Sequence, residues 1–448
     1  QVLPSLGEAG VEQVVLADLV PGHRIGVIDT NAAKRVKGDI RMAKVIAKAV
    51  QDRQRPVRDD VEIPYGAGYM RLRAAESARI VRDARRRFRR HNAAHRFVET
   101  EVISAMIASS RNPDADIDTL RDSLRDIPEF RATLARMWPM LVPAELLHDL
   151  FGSAALVKSA AKDEFSEEEY ECLVRGRSNS IAEVLWSDSD VALLDEALAL
   201  LGPRPRKNGK IDETDEVRVF GHIVIDEVQD LTPMQLRMAS RRSLSGAMTV
   251  VGDLAQATGP FAPNDWSDLL QYLPTKREQE VIGLTVGYRI PAQIMSLADK
   301  VMLEAAPSLR APQSVREGDF GPDIVEVKSG NDLLDVVIEQ AKILLTNVGE
   351  GNVAIVCPDD MTDAVDSALT AAGVAHGRAN TTALDSRLTV VPVSVVKGLE
   401  LDGVLVVEPA RIVASQVHGL RALYVALTRS TQRLTVVHSE PLPSAMQS

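Results

Sequence analysis

Apolar and polar positions alternate in three successive styles along the chain. Val14-Val15-Leu16 and Ile25-Gly26-Val27-Ile28 are short apolar runs of strand size. From Lys34 the period lengthens. A helical stretch is predicted over Arg41–Arg53, and further helices follow to about residue 200. Within them Ile80, Ala84 and Phe88 recur at spacing four, so one face of that helix should pack. Strand character returns near 217–225, where Val217, Val219 and Phe220 lead past Gly221 into Ile223-Val224-Ile225, read as a buried strand. A second strand is expected over Met248–Val251. Residues 303–323 hold Pro307, Pro312, Gly318, Gly321 and Pro322 and read as a linker. A last α/β unit covers about 324–448, with strands at Val353–Cys357, Val404–Val407 and Leu434–Val437. No internal repeat of fixed period is evident.

With 448 residues the chain has room for two to four domains, and 45% apolar residues suffice for ordinary cores. No apolar run is long enough to span a membrane. The two cysteines, Cys172 and Cys357, build neither a disulfide framework nor a metal site. A reducing cytoplasm is the expectation, with Cys357 a small buried hydrophobe. The net charge of −11 and only 4% aromatic residues argue against a protein that tracks nucleic acid by phosphate contacts and base stacking. Charge is nevertheless uneven. Residues 71–100 hold ten Arg against three acids, and residues 163–196 hold eleven acids against two Arg. Each run fits a solvated helix face. Together they also fit a docking arm with one basic and one acidic surface.

Candidate chemistry centres on Asp226-Glu227-Val228-Gln229-Asp230, which follows Ile223-Val224-Ile225. Ligands bind at the C-terminal ends of strands in open α/β sheets. Two carboxylates there suit triphosphate chemistry: one holds Mg²⁺ against the phosphates and the other orients the attacking water. Thr232-Pro233-Met234-Gln235 is a capping box with proline at the first helical position, which makes the order strand, acidic loop, capped helix. Val250-Val251-Gly252-Asp253-Leu254-Ala255-Gln256 repeats the pattern of a strand ending in a polar loop, and Gln256 has the donor and acceptor to sense a γ-phosphate or water. Tyr288-Arg289 and Tyr424-Val425-Ala426-Leu427-Thr428-Arg429 each supply a guanidinium suited to charge on a transferring phosphoryl group. Lys397-Gly398-Leu399-Glu400 precedes a strand. Singly, each of these also fits a turn, a solvated strand end or a helix-terminal arginine.

As a set they resemble the motifs of superfamily 1, UvrD/Rep-type helicases. Asp226 to Asp230 resembles motif II, Gly252 to Gln256 motif III, Tyr288-Arg289 motif IV, Lys397 to Glu400 motif V, and Tyr424 to Arg429 motif VI. All five stand in the family order over about 220–448. The resemblance implies two RecA-like P-loop NTPase domains, ATP and Mg²⁺ as ligands, Asp226 as metal ligand and Glu227 as catalytic base. It implies that Gln256 couples the γ-phosphate to domain motion, that Arg289 and Arg429 are arginine fingers, and that Tyr288 and Glu400 lie near the nucleotide, Glu400 by the ribose.

Two departures matter. No G-x-x-x-x-G-K-[ST] phosphate loop occurs in the chain. Gly209-Lys210 is followed by Ile211 and stands before a strand, with Arg204 where the earlier glycine belongs. The chain starts at Gln1, so the loop is expected upstream, and this polypeptide alone is not expected to hydrolyse ATP efficiently. The residues after Gln256, Ala257-Thr258-Gly259-Pro260-Phe261-Ala262-Pro263, also lack the aromatic and arginine set that stacks single strands, and Ser394 stands where motif V often has histidine. Phe261 and Trp266 are expected to pack in the core.

Arg35-Val36-Lys37-Gly38-Asp39, Arg53-Gln54-Arg55-Pro56, His222 to Gln235 and Ser314-Val315-Arg316-Glu317 are similar to the HelD proteins of actinobacteria, RNA-polymerase-associated helicase-like ATPases. That likeness implies a first RecA-like domain of residues 1–45 and 217–302, a mainly helical insertion at 46–216 that acts on the polymerase, a linker at 303–323 and a second RecA-like domain at 324–448. The function implied is ATP-driven remodelling or release of RNA polymerase, with DNA or RNA open as a further partner and no membrane. A 3′–5′ DNA helicase and a non-enzymatic polymerase-binding module are the rivals.

Overall fold

The structure is a computed structural model that describes residues 11–20, 22–66, 68–110, 116–204, 217–274, 278–309, 313–318, 320–328, 332–379 and 386–447. Gly209-Lys210-Ile211 and Pro312 lie outside the described residues. The chain is mixed α/β and divides into two compact units, Gln1–Ile223 with Thr232–Ala247, and Val224–Leu231 with Met248–Ser448.

The first unit is mostly helical and holds two cores. One gathers the helices Asn31–Gly38, Met42–Gln51, Pro143–Phe151, Ala154–Ala161 and Asp188–Leu201, with Met234 and Met238 of Pro233–Arg242. The capping box at Thr232 forms: its hydroxyl accepts from the Gln235 N–H at 3.3 Å, and the Gln235 side chain accepts from the Thr232 N–H at 2.8 Å. Buried charges lock this core. Lys37 bonds Asp29 at 2.7 Å and Asp190 at 2.8 Å, and Arg175 adds a second cation to Asp190 at 2.9 Å. Burial would raise the Asp190 carboxyl, but Lys37 and Arg175 outweigh it and hold it below its ordinary value. Arg242, itself buried, pairs with buried Asp195 at 2.6 Å, and Arg237 forks onto Glu196.

The second core lies under the helices Ala74–Arg87, His95–Ala108, Ile117–Arg125 and Pro128–Met137. Ile80 and Ala84 are buried as their spacing predicts, and Phe88 caps the helix against Phe97. An antiparallel hairpin, Val61–Tyr65 with Gly68–Leu72, covers part of this core. It buries Ile63, Met70 and Leu72 and leaves Glu62, Tyr69 and Arg71 outside. The two early strands are corrected. Val14 and Val15 are irregular, Leu16–Leu19 is a 3-10 turn, and only Arg24–Ile25 pairs, in parallel with Leu185–Trp186. Ile28 is 90% exposed, so no neighbouring strand rewards extending that run.

The second unit is built on a wholly parallel six-stranded sheet. In spatial order the strands are Gly377–Arg378, Leu388–Pro392, Val353–Cys357, Leu401–Val407, Ser430–His438 and Asp323–Glu326. Its central strands are buried on both faces and read as near-continuous Val, Leu and Ile, as a helix-covered parallel sheet requires. The helices Leu333–Val348 and Thr362–Ala371 enclose one core, while Ala292–Ala305 and Gly419–Leu427 enclose the other. Cys357 is fully buried, and desolvation pushes its thiol up to about 11. The stretch read as a linker is tied down at its end: Gln313–Ser314 pairs with Val286–Gly287, and Arg316 donates to the Arg289 carbonyl at 2.8 Å. Among the described residues no helix is long and apolar enough to cross a membrane.

Candidate functional site

The acidic loop leaves the strand Ile223–Ile225 through a forced turn. Glu227 has φ +50°, a left-handed conformation uncommon outside glycine. Three contacts hold it there. The Asp226 carboxylate accepts from the Glu227 N–H at 2.9 Å. The Val228 N–H donates to the Val251 carbonyl at 3.0 Å. Gln229, buried, donates to Glu227 Oε2 at 2.5 Å and accepts from the Asp253 N–H at 3.1 Å. The Gln229 amide therefore ties the two strand-end loops together. Gly252 makes this fit possible, because a Cβ there would lie 2.2 Å from Gln229 Oε1. The strand itself is not buried as expected. Val224 is 56% exposed, since Met248–Val250 is its only sheet neighbour among the described residues.

Gln256 is the hub of the site. Asp253 accepts from its amide at 2.8 Å, and Arg429 Nη2 donates to its Oε1 at 2.9 Å. Lys397 Nζ donates to its backbone carbonyl at 2.9 Å. The same ammonium bonds Asp230 at 2.6 Å and stands 3.7 Å from Glu227 Oε2. Arg429 is buried at the end of Gly419–Leu427 and donates Nε to the Val425 carbonyl at 3.1 Å. Burial lowers its guanidinium below the ordinary value and Arg289 adds to that, while Glu227, Tyr424 and Asp253 oppose it. Arg289 pairs with Glu400 at 2.8 Å in solvent.

The structure thus brings Glu227, Gln256 and Arg429 into one array, with Asp226 joined to it only through the Glu227 N–H, and pairs Arg289 with Glu400. Tyr288 stays out, 78% exposed. Phe261 and Trp266 are half-buried and belong to no core cluster, which corrects the expectation of core packing. The loop carrying Phe261 is instead held by Arg421, which donates to the Pro263 carbonyl at 3.0 Å and loses basicity by burial. Sequence reasoning missed Lys397, Gln229 and Asp253 as members of the array. Lys397 and Asp253 stood inside quoted motifs, which was the available signal.

No protein-family model matches the chain, and no curated protein matches it. Among solved structures the chain is similar to the C-terminal domain of a possible DNA helicase from Lactobacillus plantarum WCFS1. The identity is 24%, over 36% of this chain and 92% of that one, with a TM-score of 0.29. At that score the likeness establishes neither fold nor activity.

Among the described residues no group of three or more His, Cys, Asp or Glu is placed to hold a metal ion. Asp226 is exposed, and its Oδ1 accepts from the Glu227 N–H.

Proposed function

We propose that the chain belongs to a helicase-like ATPase of two RecA-like domains. The first would comprise residues 1–45 and 217–302, with a mainly helical insertion at 46–216. The second would comprise residues 324–448 after the 303–323 segment. The observation that carries the nucleotide part is the convergence on Gln256, whose side chain meets Arg429 while its backbone meets the lysine that also bonds Asp230. Acid, amide and guanidinium groups from sequence segments some 200 residues apart meet here, and solvent-accessible pairs such as Lys397–Asp230 add little to stability, which favours a chemical role for the array.

Asp226 would hold Mg²⁺, which when bound neutralises phosphate charge. Glu227 would orient the attacking water, and its left-handed backbone fixes the carboxylate beside Gln229. Arg429, already desolvated, would meet charge developing on the γ-phosphoryl group, with Arg289 and Glu400 at the rim. The chain supplies no phosphate-loop lysine, so hydrolysis is a property to test in the native protein. The work done by the cycle, remodelling or release of RNA polymerase from nucleic acid, rests on the sequence resemblance.

The test is ATP turnover by the native protein with RNA polymerase or single-stranded DNA added. Arg429→Ala should lower kcat on the order of 10³-fold, as for other arginine fingers. Glu227→Gln should slow turnover while leaving nucleotide binding in place. Unchanged turnover in both variants would sink the enzymatic reading. Strong stimulation by single-stranded DNA with no effect on polymerase complexes would replace the polymerase role by strand unwinding.

A further inference from the structure

The first unit carries a surface that the nucleotide reading does not use. After the helix Met42–Gln51 the chain turns at residues 52 and 53, and the segment that follows lines two concavities. One, of about 500 Å³, is lined by Pro56, Ala78, Val81, Arg82, Arg85 and Arg86. The other, of about 440 Å³, has Arg53, Arg55, Arg136 and Arg177 at its rim and Ala135, Pro139 and Leu156 among its walls. Among the described residues Asp149 is the only carboxylate lining either, and Arg53 and Arg177 clamp it at 3.0 and 2.5 Å. Among the described residues Arg55, Arg82 and Arg136 have no carboxylate partner, and all three are exposed. A chain of net charge −11 therefore keeps guanidinium groups without carboxylate partners, among the described residues, at both concavities.

This face is rigid. Arg85 donates to the Gln51 and Gln54 carbonyls at 2.9 and 2.7 Å and to Gln54 Oε1 at 2.9 Å. Gln54 reaches His91 at 3.0 Å, and the Arg55 N–H donates to the Met137 carbonyl at 3.0 Å. A partner would meet fixed geometry and lose little to ordering it.

The lining decides between two kinds of polyanion. Among the described residues no aromatic side chain lines either concavity, so bases find no stacking platform there. A phosphodiester backbone also has nothing to offer the carbon walls. Arginine is enriched and lysine depleted in protein–protein interfaces, and no lysine occurs between Lys48 and Lys158. We propose that this face docks an acidic segment of a partner protein, one that carries apolar side chains between its carboxylates. The apolar groups would enter the two concavities, and the carboxylates would meet Arg55, Arg82 and Arg136. This surface is independent of the nucleotide reading.

The test uses a fluorescein-labelled peptide of about 14 residues in which leucines recur between glutamates, followed by anisotropy at about 0.15 M salt. The full chain should bind it. Replacing the glutamates by glutamine, or removing the leucines, should weaken binding at least about tenfold. So should Arg55→Glu, Arg82→Glu and Arg136→Glu combined, with circular dichroism confirming the fold. Because the peptide series is read on the unaltered chain, it decides the matter even if the triple variant misfolds. Tighter binding of a labelled DNA strand or duplex of the same length would overturn the proposal in favour of a phosphodiester ligand. Indifference to the glutamates or to the leucines would overturn it outright.

Discussion

Acidification should loosen the first unit chiefly through one imidazole, His91. The ring is stacked on Trp138 at 4.9 Å between centroids, and Nε2 lies 2.6 Å from the Pro139 carbonyl. A carbonyl only accepts, so Nε2 carries the proton and Nδ1 accepts from the Gln54 amide at 3.0 Å. Gln54 cannot turn its oxygen toward a second ring proton without losing Arg85, which already donates to that oxygen at 2.9 Å. Burial is the main cause that lowers His91 from 6.5 to about 4. The unfolded chain therefore binds a proton between those values and the folded chain does not, so stability rises with pH across that window. Full stability is present above about pH 6.5 and is lost as pH falls toward 4. At 1.36 kcal/mol per pH unit the loss approaches about 3 kcal/mol. His95 of the same unit is also lowered by burial and acts in the same direction. The measurement is urea unfolding between about pH 7.5 and 4.5 for the parent and for His91→Gln, and the informative quantity is the difference in pH slope. Equal slopes would refute the assignment to His91.

Three further outcomes follow from geometry. Gly252→Ala should displace Gln229 and free Glu227, costing about 1–3 kcal/mol in denaturant stability and slowing ATP turnover; an unchanged midpoint would mean that the loop yields instead. Asp195→Ala should cost about 3–5 kcal/mol by stranding buried Arg242, and adding Arg242→Met should recover part of it; a double variant no more stable than the single one contradicts this. In the native chain Cys172 should react slowly with a maleimide and Cys357 not at all until denaturant is added, because burial raises both thiols and Cys357 is fully enclosed; equal native rates would count against the packing described.

What was legible in the sequence was local or strongly periodic. The Thr232–Gln235 capping box closes within four residues, and Ile80 and Ala84 bury themselves by helical spacing. Val353–Cys357 is apolar enough to require cover on both faces. The early apolar runs were misread because a strand needs a neighbour: Val14-Val15-Leu16 has none among the described residues, and Ile25 finds only Trp186. The hairpin at 61–72 was hidden by Pro64 and by the arginines around it. Lys397 shows the limit at the site. Nothing near it marks it for Asp230, from which 167 residues separate it, so only folding reveals the pairing. Asp226, Glu227, Gln256 and Arg429 are recognisable as a pattern of motifs, but the Arg429–Gln256 hydrogen bond is not.

The parallel sheet of the second unit has one consequence for solubility. Its inner strands are aliphatic ribbons that would readily template one another across chains if their backbones were open. The outermost members are instead stubby, two residues at Gly377–Arg378 and four at Asp323–Glu326, and they bear charge at Arg378, Asp323 and Glu326. A visiting strand finds few free amides there and meets charged side chains where it would dock, which discourages intermolecular sheet growth.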